Sequence, residues 1–129
     1  MNARHGKVLI VADSPVLSLQ LQRQLHALDV PAMPVEAANV RLHAEGARLA
    51  IVDVQLLQGN GFAVARELAS AACPVVLTSG TGRDTDIHWG MGAGATAVLT
   101  RPVSSARLQQ VLDALASSAG GLGDDCCGD

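Results

Sequence analysis

Two aspartates, Asp13 and Asp53, stand at the ends of apolar runs. Asp53 closes Leu49-Ala50-Ile51-Val52, and Asp13 follows Lys7-Val8-Leu9-Ile10-Val11 after a single Ala12. Short, uninterrupted apolar runs read as strands buried on both faces, the pattern of a parallel sheet. A carboxylate at the C-terminal end of such a strand lies at the sheet's mouth, where α/β proteins place their chemistry. Two strands that deliver carboxylates to one edge imply a small acidic site. Its chemistry would be binding of a divalent cation or nucleophilic attack by a carboxylate.

The rest of the chain supplies the elements needed to position these residues. The apolar runs predict strands at 7–11, 32–35, 48–52, 74–79 and 95–99. Residue 34 is a proline, which makes the second strand short and suited to an edge. Ser14-Pro15 opens the first helix as N-cap and first-turn proline, and Leu17, Leu21, Leu25 and Leu28 repeat at helical spacing behind it. Further helices are expected at 37–44, 62–69, 84–91 and 104–116. The helix at 84–91 is weak because Gly90 and Gly92 should fray its end. The helix at 62–69 buries Phe62, Val64, Ala65 and Leu68. Leu108, Val111, Leu112 and Leu115 form the apolar stripe of the last helix. Strands alternating with helices imply a doubly wound α/β domain. Right-handed crossovers favour the flavodoxin-like (βα)5 order 2-1-3-4-5. That order makes strands one and three neighbours and brings Asp13 and Asp53 to one mouth. The domain is expected over 1–116, with 117–129 a flexible Gly/Asp-rich tail or the start of a linker.

Bulk properties exclude several functions. At 129 residues one domain is expected. Phe62 and Trp89 are the only aromatic residues apart from histidine, which argues against a stacking platform for single-stranded nucleic acid. Formal net charge is −3 and no Lys/Arg run occurs, which argues against direct nucleic-acid binding. No apolar stretch is long enough to span a membrane, and the N-terminus lacks a signal-peptide layout. Cys73, Cys126 and Cys127 have no metal or disulfide spacing, pointing to a reducing, cytoplasmic setting. His5, His26, His43 and His88 likewise show no ligand spacing.

From about Lys7 to Ala116 the chain resembles a bacterial response-regulator receiver domain of two-component signalling. The landmarks are Ala12-Asp13 after strand one, Asp53 at the end of strand three, Ser79 at the end of strand four and Arg101-Pro102 after strand five. Gly61, eight residues beyond Asp53, and Pro74 and Ala93-Gly94-Ala95 before strands four and five also fit. The resemblance implies that Asp53 accepts a phosphoryl group from a histidine kinase or phosphotransfer protein. Mg²⁺ would be held by Asp13, Asp53 and the backbone carbonyl of Gln55. Ser79 and Arg101 would contact the phosphoryl oxygens, and a cis peptide before Pro102 would turn Arg101 inward. The face made by helix four, strand five and helix five would serve partners or a homodimer, with Trp89 as a possible anchor.

Four positions depart from the family's pattern. Ala12 replaces an acid, so the pull on Mg²⁺ should be weaker. Arg101 replaces a lysine, and its planar fork suits either a phosphate or a bidentate lock on Asp53. Leu57 replaces a proline common in that loop, and Val98 replaces an aromatic switch residue. Two simpler roles stand beside the catalytic ones: Asp13 as a helix cap and Ser79 as a hydroxyl capping the Gly80-Thr81 loop. The departures also define an alternative function, a pseudo-receiver that binds partners independently of phosphorylation. A flavin-binding flavodoxin is disfavoured, because the loop after strand one has no phosphate cradle and no aromatic pair can sandwich a ring. Numbering from Met1 favours an N-terminal or stand-alone receiver.

Overall fold

The structure is a computed structural model and describes residues 6–57 and 60–121, with side chains through Ala116. His5, Gly59, Cys126, Cys127 and the end of the expected tail lie outside the described residues. The elements run β1 (Val8–Val11), α1 (Pro15–Ala27), β2 (Ala32–Pro34), a 3₁₀ turn (Ala37–Asn39), α2 (Val40–Ala44), β3 (Leu49–Asp53), α3 (Gly61–Ser70), β4 (Val75–Ser79), α4 (Asp84–Gly92), β5 (Ala97–Thr100) and α5 (Ser105–Gly121). The five strands pair in parallel in the order β2-β1-β3-β4-β5. This is the doubly wound, flavodoxin-like arrangement that the alternation of apolar runs implies.

The central strands are apolar along their whole length because both faces are covered. Val8, Ile10, Leu49, Ile51 and Val76 pack under α1 and α5, through Leu17, Leu21, Leu25, Leu108, Val111 and Leu112. Leu9, Val11, Ala50, Val52, Val75 and Leu77 face the opposite layer, which includes Val40, Val64 and Leu68. Successive residues of a strand point to opposite faces, so one apolar run feeds two cores. Cys73 belongs to the second core. Burial pushes its thiol up to about 11, and it is protonated at neutral pH.

Several boundaries differ from the sequence expectation. The single helix expected at 37–44 is split into a 3₁₀ turn and a short α-helix. The last helix runs to Gly121 instead of stopping at Ala116, because Ser117-Ser118-Ala119 contains no breaker and the first glycine comes only at Gly120. Gly90 does not fray α4. It is buried, and a Cβ there would lie 2.6 Å from Val98 Cγ2 and 2.9 Å from Leu77 Cδ1, so its lack of a side chain seats the helix on β5 and β4. Phe62 is only partly buried; the interior face of α3 is Gly61, Val64, Ala65 and Leu68.

Candidate functional site

Strands β1 and β3 are direct neighbours in register, Val11 beside Val52, so the residues that follow them emerge together. Asp53, the last residue of β3, is 4% exposed. Burial of a carboxylate requires compensation. Three groups surround its Oδ1. Thr78 Oγ1 donates from 3.4 Å, the Gln55 N–H donates from 3.5 Å, and Arg101 Nε lies 3.8 Å away. Thr78 is the register partner of Asp53 on β4 and shares its face. The sequence reading missed Thr78, although a hydroxyl inside an otherwise apolar strand was a usable signal.

Asp13 lies beyond the end of β1, and its Oδ2 accepts the Leu57 N–H. One loop, between β3 and α3, therefore binds both carboxylates, Asp53 through Gln55 and Asp13 through Leu57. The alternative role of Asp13 as helix cap does not apply. Ser14 is the N-cap of α1, its Oγ accepting the Leu17 N–H at 3.3 Å. Beside Asp13 and Ala12 an open cleft of about 800 Å³ runs to the end of β2, with Glu36 and Leu57 also on its walls.

Arg101 follows β5, with the Arg101-Pro102 peptide cis. Its backbone N–H donates to the Ser79 carbonyl at 2.8 Å, which ties it to the end of β4. The next turn is buttressed from α1, where Gln24 Nε2 donates to the Val103 carbonyl at 2.7 Å. The guanidinium faces Asp53 but does not lock onto it bidentately. The single approach at 3.8 Å is an ion pair, longer than a hydrogen bond. The buried Nε–H finds no acceptor among the described residues.

Ser79 is fully buried at the end of β4, and its hydroxyl is already committed. Oγ accepts the N–H groups of Thr81 and Gly82 at 3.2 Å each, and donates to Asp86 Oδ2 at 2.5 Å. Thr81 Oγ1 donates to the same carboxylate oxygen at 2.8 Å. The loop-capping role weighed for Ser79 is thus the one the geometry displays. These two hydroxyls hold the Asp86 carboxyl below the usual carboxylate range, with Arg83 adding a smaller pull in the same direction. Asp86 was not singled out from the sequence, since its link to Ser79 spans the turn into α4.

Trp89 lies on α4 and is 63% exposed, with His88 edge-on at 6.5 Å between ring centroids. Ile87 and Met91 on the same helix are also exposed. Among the described residues no three His, Cys, Asp or Glu side chains converge as a metal-binding group, and no helix is long and apolar enough to cross a membrane.

A five-stranded parallel sheet with a carboxylate at the switch point between β1 and β3 defines a flavodoxin-like α/β domain with its site at the strands' C-terminal edge. The model of the response regulator receiver domain matches residues 8–113, and the chain belongs to that family. It is 29% identical over 117 residues to protein PilH of Pseudomonas aeruginosa, covering 85% of this chain and 97% of that one. Among solved structures, a response regulator receiver domain protein from Clostridium thermocellum superposes with a TM-score of 0.81. It shares 16% identity, over 91% of this chain and 98% of that one. Chemotaxis protein CheY4 of Vibrio cholerae gives a TM-score of 0.75 at 20% identity, over 85% and 98%.

Proposed function

We propose that the chain is a phospho-accepting receiver in which Asp53 takes a phosphoryl group from a histidine kinase or phosphotransfer protein. The observation that carries this reading is a buried carboxylate at the switch point, faced by an unsaturated guanidinium donor and sharing a loop with a second carboxylate. An oxygen of Asp53 attacks phosphorus, the bond from phosphorus to the donor's histidine nitrogen breaks, and that nitrogen keeps the electron pair. The product is an acyl phosphate.

Two carboxylates and a backbone carbonyl form an all-oxygen donor set that suits Mg²⁺, which commonly takes one or two carboxylates and keeps several waters. Asp13, Asp53 and the Gln55 carbonyl would hold it. When bound it would neutralise charge on the phosphoryl oxygens. Arg101 would supply a second positive charge from the other side. Incubation with Mg²⁺ and acetyl phosphate should add one phosphate to the wild-type protein and none to Asp53→Ala, by intact mass. No adduct, together with no beryllofluoride binding, would sink the proposal.

Ser79 can contact a phosphoryl oxygen only by giving up Asp86. Phosphorylation then breaks the Ser79–Asp86 hydrogen bond at the first turn of α4 and loosens the loop that leads into it. Trp89 is one turn further on, and it is the sole Trp in a chain with no Tyr, so intrinsic fluorescence reports on α4 alone. Asp86→Ala should shift that fluorescence toward the beryllofluoride-bound value before any ligand is added. Because the folded Asp86 carboxyl titrates below its unfolded value, its contribution is complete at neutral pH and is lost as pH falls through the folded value. An unchanged spectrum in Asp86→Ala would show that the contact does not set the resting state.

The exposed Ile87, Trp89 and Met91 on α4 support the same reading's use of the α4, β5 and α5 face for a partner or a dimer. The engagement of Ser79 by Asp86 and the loss of an acid at Ala12 favour one alternative, a pseudo-receiver that binds its partner regardless of phosphate. That alternative requires partner binding to survive Asp53→Ala unchanged.

A further inference from the structure

Arg101 sits where a slimmer lysine is usual, and the wall of the site opposite it has no side chain. A Cβ built on Gly80 would lie 2.5 Å from Arg101 Nη2, 3.3 Å from Cζ and 3.7 Å from Nε. The Nη2 end of the guanidinium therefore rests in the space a Cβ at position 80 would occupy, with Cζ tight against it and Nε at ordinary contact distance. Two further observations concern the same group. Its Nε lies 3.8 Å from Asp53 Oδ1, and that N–H is buried with no acceptor among the described residues. A buried donor without a partner is costly and marks a place where an acceptor is expected.

We propose that Gly80 is a positioning residue for Arg101: by lacking a side chain it admits the guanidinium to the pocket wall and aims Nε–H at the place a phosphoryl oxygen on Asp53 would occupy. This rests on the phospho-acceptor reading of Asp53. The larger cation fits here because position 80 has no Cβ. An ammonium carries its charge on a narrow stem and needs no such space. The clash that Gly80→Ala creates is with the far end of a flexible side chain, so the guanidinium swings away and the backbone stays in place. The fold should therefore survive the substitution while the cation is displaced.

The test is a cycle of wild type, Gly80→Ala, Arg101→Lys and the double variant, each titrated with beryllofluoride in Mg²⁺ and each melted to check the fold. Gly80→Ala should weaken beryllofluoride binding about tenfold when Arg101 is present, the scale of one charge-assisted hydrogen bond. In the Arg101→Lys background the same change should cost less than about twofold, since nothing there fills the space. The Arg101 Nε–H resonance should also move in ligand-free Gly80→Ala. Equal losses in both backgrounds, or none in either, would overturn the pairing of Gly80 with Arg101. A wild-type protein that binds no beryllofluoride would instead overturn the phospho-acceptor reading, and this inference with it.

Discussion

Replacing Gly61 with alanine should lower the melting temperature by roughly 10 °C and disable the site at the same time. Gly61 is the first residue of α3, and its N–H reaches back to the Val54 carbonyl at 3.3 Å. A Cβ there would press on the Asp53 carbonyl oxygen and would lie 2.5 Å from Val54 Cα and 3.0 Å from the Asp53 carbonyl carbon. All three are backbone atoms at the buried end of a central strand. Unlike the guanidinium beside Gly80, they cannot swing aside, so β3 or the start of α3 must shift. Overpacking of this kind costs about 3 kcal/mol. The shift falls on the peptide that carries Asp53, so acyl phosphate formation should drop along with stability. Gly92→Ala is the control: nothing lies within 4 Å of a Cβ there, and the helix should gain slightly. A Gly61→Ala protein melting within about 2 °C of wild type would show that the loop relaxes freely.

The same position shows how far the sequence could be read. Gly61 was recognisable as a landmark eight residues past Asp53, but the reason for it is a contact across the β3–α3 loop. The strands were legible because burial on both faces leaves uninterrupted apolar runs. Crossover handedness narrowed the order of the sheet to a few options, and the simplest of them is the one observed. The meeting of Asp13 and Asp53 followed from that order.

What was not legible depends on side-chain orientation and on pairs distant in sequence. Ser79 could be placed at the end of β4, yet whether its hydroxyl turns to Asp53 or into the loop is decided by Asp86, one turn into the next helix. Arg101 could be placed at the mouth, yet its single, long approach to Asp53 depends on the space left at Gly80. Thr78 contributes through β-register, a relation between strands. Gly90 looked like a helix breaker because local propensity counts a missing side chain only as lost helix stability. In the packed molecule the same absence lets α4 approach Val98 and Leu77.

Restoring an acid at position 12 should tighten Mg²⁺ binding about tenfold. In the proposed site two carboxylates and one guanidinium leave a single net negative charge, so a divalent cation is held weakly. An added carboxylate about 5 Å from the ion contributes about 1.7 kcal/mol in water-like dielectric, and salt screening trims that toward a factor of ten. The structure has room for it. Ala12 is only partly buried and lines the open cleft beside Asp13, so the added carboxylate of an aspartate can extend into the cleft. The gain has a cost in the metal-free protein, where a third carboxylate repels Asp13 and Asp53. Ala12→Asp should therefore melt below wild type in chelator and rise more steeply as Mg²⁺ is added, with the concentration giving a fixed shift about tenfold lower. Parallel Mg²⁺ curves for the two proteins would place the ion away from the mouth of β1 and count against Asp13 as its ligand.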